Sequence, residues 1–190
     1  SIYSGTSNYW SCNFARQSLV QKFFNDLTKV PMVDKDAYEE YTKTHTISTE
    51  ADVIAADEVL GGSTAKMIQV AGDDRAMFYA GVGGGIRTLT TKQITGFLNG
   101  LSIVKWQNRR SDNSTPSDAS FSDTDIPLFR LAEMYLTRAE AQYRLGGNDA
   151  QAIEDVNVLR NRAHATPLTS INLDMLIEEW CHEFYMEGRR

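Results

Sequence analysis

The clearest pattern of hydrophobic and polar positions lies in the last third of the chain. Over 125–146, apolar side chains recur at intervals of three and four residues, the spacing that gathers them on one face of an α-helix. They are Leu128, Leu131, Ala132, Tyr135, Ala139 and Tyr143. Asp125 is a suitable N-cap, Pro127 fits the first turn, and Gly146-Gly147 supplies a carboxy-terminal stop. The pattern therefore predicts an amphipathic helix over 125–146.

A second amphipathic helix is predicted after that stop. It begins at the cap formed by Asn148 and Asp149 and ends before Pro167, because a proline disfavours helical backbone at the residue before it. Its apolar face consists of Ala152, Val156, Leu159 and Ala163. The two helices form a hairpin, and alanines where helices approach closely are typical of a tetratricopeptide-like unit.

A third helix is predicted to begin near Asn172 and to pack on the hairpin. Its apolar stripe follows the helical period through Leu173, Leu176, Ile177, Trp180 and Phe184. Trp180, near the centre of the stripe, is predicted to lie in the core. The polar residues expected to face elsewhere are Glu178, Glu179, His182 and Glu183.

The first 124 residues are less regular. Helical spacing is found over 15–27 and 34–41. The segments with the composition of strands are 66–70, 76–81 and 101–106. The predicted fold class is mostly α, with a tetratricopeptide-like helical hairpin, additional helices and a loop-rich, partly β ligand-binding face. We expect the ligand-binding region over 1–124 and the helical region over 125–190.

A long surface loop is predicted between these two regions. Residues 108–124 are polar and rich in Ser and Asp, with one Pro. Two aromatic residues, Trp106 and Phe121, bracket it. The loop also contains three acidic residues, Asp112, Asp118 and Asp123, which could bind calcium although they lack the spacing of an EF-hand.

Charge and composition exclude several classes of protein. The chain of 190 residues is 42% hydrophobic and 23% charged, as in ordinary globular domains. With 19 Lys and Arg against 25 Asp and Glu, the formal net charge is −6, which opposes the phosphate neutralisation that nucleic-acid binding requires. No apolar run reaches the roughly 20 residues of a spanning helix, and no export signal stands at the amino terminus. Since residue 1 is Ser rather than Met, we expect a piece of a longer protein.

Apart from the question of calcium in the loop, no nucleotide, metal or cofactor site is predicted. The glycine run at 81–85 is followed by Ile-Arg-Thr rather than the Gly-Lys-Ser/Thr of a phosphate-binding loop, so it indicates a flexible turn. Two cysteines, Cys12 and Cys181, are too few for a four-cysteine zinc site. His182 opens the pattern of a zinc-protease helix, but Met186 stands where the second histidine is needed.

Three glutamates of the third predicted helix follow one another at intervals of four residues: Glu179, Glu183 and Glu187. Paired carboxylates can hydrolyse glycosidic bonds, but they then flank the bond, whereas successive turns of one helix present them from the same side. Arginine, which suits bidentate pairing with carboxylates, is frequent in the same part of the chain. The arginines are Arg130, Arg138, Arg144, Arg160, Arg162, Arg189 and Arg190. We therefore predict a structural network of ion pairs and no catalytic site.

The amino-terminal residues offer a different chemistry. Tyr9 and Trp10 stand among Ser, Asn and Gly, with Phe14 nearby. An exposed Trp or Tyr ring can stack on the C–H face of a pyranose while polar neighbours bind the hydroxyls. On this argument the candidate glycan-binding residues are Tyr9, Trp10 and Asn13.

Several segments resemble the SusD/RagB family. Residues 125–141, DIPLFRLAEMYLTRAEA, fit the family pattern D-x-P-x-x-R-x-A-E-x-x-L-x-x-A-E-A, and residues 157–163, NVLRNRA, fit N-x-x-R-x-R-A. Residues 179–190, EWCHEFYMEGRR, are similar to E-R-x-x-E-[LF]-x-x-E-G-x-R, with Trp180 in place of the usual Arg. The weaker upstream similarity covers 17–24, 73–75 and 105–106.

The resemblance implies the carboxy-terminal portion of a nutrient-binding outer-membrane lipoprotein, displayed on the surface of a Bacteroidetes-type cell. Such a protein binds oligo- or polysaccharide such as starch and delivers it to a TonB-dependent SusC-like channel. It is not an enzyme, and a lipid anchor outside this chain is its contact with the membrane. The alternative is a helical-repeat module that binds a protein partner and no glycan; a glycoside hydrolase ranks third.

Overall fold

The computed structural model describes residues 14–89, 96, 98–108, 110, 112, 114–118, 120–122, 125 and 127–188. α-Helices supply most of the regular structure in this part of the chain, which confirms the predicted mostly α fold class. The chain divides into two compact units: residues up to Val70 group with Met77–Asp125, and Ala71–Ala76 group with the residues from 126 onward. Among the helices of the described ranges, none is long and apolar enough to cross a bilayer.

Short elements occupy the described part of the first 125 residues. In chain order they are β1 (Phe14–Ala15), α1 (Gln17–Phe23), a 3₁₀ turn (Leu27–Lys29), α2 (Lys35–Thr42), α3 (Glu50–Leu60), α4 (Thr64–Ala71), β2 (Phe78–Tyr79), a second 3₁₀ turn (Val82–Gly84) and β3 (Leu101–Ile103). The helix predicted over 34–41 is confirmed as α2, whose N-cap Asp34 accepts a hydrogen bond from the backbone N–H of Ala37 at 2.9 Å. β2 and β3 confirm two of the three predicted strands.

The third predicted strand, over 66–70, is wrong. This segment belongs to α4, where Met67 is the buried side chain and the other apolar residues lie at least partly in solvent. The helix predicted over 15–27 is shorter than expected, because Ala15 joins the sheet. α3, which the apolar spacing does not reveal, begins at a capping box between Thr49 and Asp52.

β3 is the central strand of a three-stranded antiparallel sheet, with the order β1–β3–β2. Ala15 is opposite Leu101 on one side, and Tyr79 is opposite Ser102 on the other. Gly100, just before β3, has a φ of +93°, and a Cβ there would lie 2.7 Å from the backbone oxygen of Ala15. A glycine is therefore needed at this position for β1 to approach β3.

The first unit has its own apolar core. The side chains with 0% exposure in this unit are Val20, Ala56, Met67, Phe78, Ala80 and Leu101. The rings of Phe23 in α1 and Phe78 in β2 meet edge to face, with centroids 5.2 Å apart and an interplanar angle of 82°. This aromatic pair anchors α1 on the sheet.

The second unit contains α5 (Leu131–Leu145), α6 (Asp149–Arg162) and α7 (Leu173–Phe184), which correspond to the three predicted helices. The predicted start of the first helix at Asp125 is wrong, because the backbone is still extended at Arg130, with φ −146° and ψ 155°. Leu128 and Phe129 are 73% and 78% exposed, so the apolar pattern before α5 does not reflect packing. The predicted stop is confirmed at Gly146, which has a φ of +74°.

The core of the second unit lies between α5, α6 and α7. Its buried members are Ala132, Leu136, Ala139, Ala152, Val156, Leu159, Leu176 and Phe184. The alanines let α5 and α6 approach closely, as in a tetratricopeptide-like hairpin. Trp180, predicted to be core, packs against this cluster and is partly buried. Ile177, predicted on the apolar stripe, is 57% exposed.

The expectation that the polar residues of α7 face elsewhere is wrong for three of them. Glu179, His182 and Glu183 are all buried in the second unit. Burial of carboxylates requires opposite charges nearby.

Truncation of the hairpin core should destabilise the protein. Leu136 has 0% exposure, so Leu136→Ala removes packed methyl groups and should lower the free energy of unfolding by about 2–5 kcal/mol. Urea denaturation measures this loss. Met134→Ala, on the same helix at a position that is 52% exposed, is the control and should cost far less. Equal losses in the two variants would contradict the assigned core.

Candidate functional site

Carboxylates and arginines of the second unit form a buried network around α7. Glu179 is 1% exposed. It accepts a hydrogen bond from Arg75 (Nη1 to Oε1, 2.6 Å) and another from Arg160 (Nη1 to Oε2, 2.7 Å). Each oxygen of the carboxylate therefore has a cationic donor, which compensates the loss of water around a buried charge.

Glu183, one turn later, receives three arginines. Arg162 donates from Nη2 to both carboxylate oxygens at 2.7 Å, Arg75 donates from Nη1 at 3.1 Å, and Arg130 donates from Nη1. Arg130 also binds Glu187 in a bidentate manner, through Nε at 2.7 Å and Nη2 at 2.8 Å. The network of ion pairs predicted from the sequence is thus confirmed around all three glutamates.

The predicted network lacked two members, Arg75 and its partner Asp73. Arg75 lies in 71–76, far from α7 along the chain, and it is itself buried. Asp73 binds the guanidinium in a bidentate manner, with Nε to Oδ1 at 2.9 Å and Nη2 to Oδ2 at 2.7 Å. The Tyr185 hydroxyl donates to the backbone oxygen of Arg75 at 2.7 Å. Burial would lower the pKa of Arg75, but Asp73 and Glu179 outweigh it and raise the pKa.

Electrostatics keep the buried glutamates ionised. Burial by itself would raise the pKa of Glu179, but His182, Arg75 and Arg160 together lower this pKa from 4.5 to about 2. For Glu183, burial again acts to raise the pKa, and the arginines that it binds outweigh that effect and lower it. The carboxylates are therefore charged at neutral pH, which favours a structural role over general acid catalysis.

A second ion pair, with a buried carboxylate and an arginine that is 56% exposed, joins the two helices of the hairpin. Asp155 in α6 is 1% exposed and accepts from Arg138 in α5, with Nε to Oδ2 at 2.7 Å and Nη2 to Oδ1 at 2.6 Å. Arg144 pairs with Glu140 at the surface, also at 2.7 Å. The remaining predicted arginines, 189 and 190, lie outside the described residues.

Trp180 stands where the resemblance leads us to expect an arginine. Its ring is tilted against Phe184, with centroids 5.2 Å apart, and the guanidinium of Arg130 lies 4.1 Å from the centroid of the Phe184 ring. The indole Nε1 is buried without a hydrogen-bond partner in the described part of the chain. The tryptophan thus replaces a cationic side chain by aromatic packing at the edge of the network.

The polar loop is held by its own side chains. Asn108 is 2% exposed, and its Nδ2 donates to the backbone oxygens of Asp118 at 2.8 Å and Phe121 at 3.3 Å. Asp118 accepts from backbone N–H groups of the loop, and so does Asp112, whose pKa is lowered by its hydrogen bonds with Ser114. Among the described positions, no group of three His, Cys, Asp or Glu side chains could hold a metal ion. Asp123 of the suggested calcium set is not among them.

The glycine run at 81–85 is more constrained than the flexible turn that the sequence indicates. Asp57, buried in α3, accepts from the Tyr79 hydroxyl at 2.6 Å and from the Val82 N–H at 2.7 Å. The Gly83 N–H donates to the same hydroxyl at 3.1 Å. A Cβ at Gly81 would lie 2.2 Å from Asp57 Oδ1. Burial raises the pKa of Asp57, against the effect of these hydrogen bonds.

The candidate glycan-binding residues Tyr9, Trp10 and Asn13 lie outside the described residues. Phe14, which follows Asn13 in the sequence, begins β1, and the Arg87 guanidinium lies 5.0 Å from its ring centroid. The two aromatics that bracket the loop are both at least partly exposed: Trp106 at 40% and Phe121 at 74%. Exposed rings of this kind are available to stack on an amphipathic ligand.

Comparison with known proteins identifies the class. A sequence model of the SusD family matches residues 3–190. The chain belongs to the SusD family. It is 52% identical over 187 residues to the starch-binding protein SusD of Bacteroides thetaiotaomicron. The aligned region covers 98% of this chain and 33% of that relative. The chain thus spans about one third of the length of the curated relative that it matches.

Removal of the Glu179 charge should destabilise the folded protein. Glu179→Gln leaves Arg75 and Arg160 partly uncompensated inside the protein, and we expect the free energy of unfolding to fall by about 3–5 kcal/mol. Urea denaturation at neutral pH measures the loss. Glu140→Gln, which breaks the surface pair with Arg144, is the control and should cost less than about 1 kcal/mol. A loss at Glu179 no larger than at Glu140 would contradict the structural role of the network.

Acid should weaken the same interaction. Because the pKa of Glu179 falls from 4.5 to about 2 on folding, its contribution is complete above pH 4.5 and is lost as the pH approaches 2. Protonation of Glu179 over that interval should lower the free energy of unfolding by about 3 kcal/mol. Denaturation curves at a series of pH values should therefore show the parent and Glu179→Gln converging in acid. A difference between them that does not change with pH would disprove the assignment.

Proposed function

We propose that the full-length protein binds oligo- or polysaccharide at the bacterial cell surface and delivers it to a TonB-dependent SusC-like channel of the outer membrane. The observation that carries the proposal is the 52% identity to a starch-binding protein over 98% of this chain. The proposal places the protein at the membrane through a lipid anchor outside the chain. Binding, rather than cleavage, is the proposed activity.

Two features of the described residues support binding without catalysis. The glutamates of α7 are held by arginines on the same helical unit, so they are not arranged as two carboxylates on opposite sides of a bond. The loop-rich unit, by contrast, presents partly exposed rings such as Trp106 and Phe121. We assign glycan contact to Tyr9, Trp10 and Asn13, on the chemistry of ring stacking and hydroxyl binding.

A protein-interaction module that binds no glycan is the second candidate. It draws support from apolar side chains that α5 exposes: Leu131 is 68% exposed, Met134 is 52% exposed and Leu145 is 82% exposed. Exposed apolar side chains on a helix can be covered by a partner helix. Such a surface is compatible with glycan binding elsewhere on the protein. Only a test of whether the protein binds glycan therefore distinguishes the two candidate functions.

Titration of the full-length protein with malto-oligosaccharides tests the proposal. We expect saturable binding in the micromolar to millimolar range, about −8 to −4 kcal/mol, and release of no reducing sugar. Trp10→Ala removes a stacking face and should weaken binding about 10-fold or more, with an unchanged melting temperature. Absence of glycan binding in the parent would favour the interaction module, and released reducing sugar would favour a hydrolase.

A further inference from the structure

A groove of about 710 Å³ opens on the surface of the first unit. One wall is the segment from the first 3₁₀ turn to the start of α2, and the other is formed by residues 86–88. Its size lies within the range of small-molecule sites, about 300–1,000 Å³. All of its lining residues belong to the described part of one compact unit.

The lining of the groove is amphipathic. Its apolar lining includes the partly exposed Ile86 and, more deeply buried, Val30 and Val33, and the half-buried Tyr38 lines the same groove. Charged side chains line the same groove, including Lys35 of α2. A purely hydrocarbon ligand would remove water from these charged groups without replacing their hydrogen bonds, whereas a sugar ring offers a C–H face to the apolar surface and hydroxyls to the polar groups.

The charges of the groove are balanced. Asp34 and Glu39 supply two carboxylates, and Lys35 and Arg87 supply two cations. Lys35 Nζ lies 3.5 Å from Glu39 Oε1, and the carboxylate of Asp34 already accepts from the N–H of Ala37 at the start of α2. Neither an anion nor a cation finds an excess of opposite charge here. The groove therefore suits a neutral, hydroxyl-rich ligand.

Arg87 links this groove to the strand that follows the candidate glycan-binding residues. Its side chain lines the groove, its guanidinium lies 5.0 Å from the ring centroid of Phe14, and its Nη1 donates to the backbone oxygen of Gly100 at 3.2 Å. Phe14 immediately follows Asn13 in the sequence. One buried side chain thus contacts both the groove and the first residue of β1.

We propose that this groove is a second carbohydrate-contact site, which takes neutral pyranose units of the same chain that Tyr9, Trp10 and Asn13 contact. This inference rests on the proposed function and adds that the length of the glycan determines whether it contacts the groove. A short oligosaccharide occupies the first site, and a longer one reaches the groove as well. Tyr38 provides the stacking face, and Lys35 and Glu39 provide hydrogen bonds to hydroxyls.

The test compares maltotriose with maltoheptaose on the full-length protein. Tyr38→Ala should weaken binding of maltoheptaose about 3- to 10-fold and leave maltotriose unchanged, because only the longer glycan gains the ring contact. Trp10→Ala should weaken both. The matched control is Tyr41→Ala, which removes a ring from the same helix that stacks on His45, with centroids 4.2 Å apart, and does not line the groove.

Hydrogen–deuterium exchange gives a readout that does not depend on a variant. Saturation with maltoheptaose should slow exchange in 27–39 and 86–88, and saturation with maltotriose should not. If the parent binds both sugars but Tyr38→Ala matches Tyr41→Ala and exchange in these segments is unchanged, the groove site is wrong and the proposed function stands. If the parent binds neither sugar, the proposed function fails and the groove site fails with it. Protection of these segments by an apolar peptide, and not by maltoheptaose, also overturns the groove site.

Discussion

The negative charges of Glu179 and Glu183 lie inside the second unit, and arginines from separate segments of the chain must lie beside them to neutralise them. Arg160 and Arg162 come from the end of α6, Arg130 from the extended segment before α5, and Arg75 from a separate stretch of chain. Buried ion pairs add little net stability relative to apolar packing, but removal of one partner is costly. The network therefore fixes which segments pack on α7 more than it raises the stability of the unit.

Most of the second unit could be predicted from local patterns in the sequence. Helices α6 and α7 have regular apolar faces and recognisable caps, so their existence and approximate bounds could be predicted. The pairing of arginines with glutamates could be predicted because both residue types recur in one segment. The start of α5 could not, since Arg130 is extended and binds Glu187, a contact that local periodicity does not encode.

The first unit was less predictable for physical reasons that particular residues illustrate. The sheet is built from strands of two and three residues, too short for an alternating pattern to be distinctive. Met67 sits in a segment of β-branched neighbours that suggests a strand, yet it is buried from a helix. Asp57 and Gly81 are distant in sequence, so their close approach had no local signal. The groove beside α2 likewise depends on residues 86–88 meeting it in space. The assignment of Tyr9 and Trp10 to glycan contact rests on stacking chemistry and stays a prediction.

The hydrogen bond between Arg75 and Glu179 joins residues that are 104 positions apart. During synthesis on the ribosome, the guanidinium emerges long before the carboxylate that it will neutralise, and among its carboxylate partners in the described part of the chain Asp73 alone emerges with it. Closure of so long a loop makes this contact a late and slow event compared with formation of the α5–α6 hairpin. Asp73 and Arg75 lie two residues apart, so they can pair as soon as both have left the ribosome, whereas the contacts with Glu179 and Glu183 require α7.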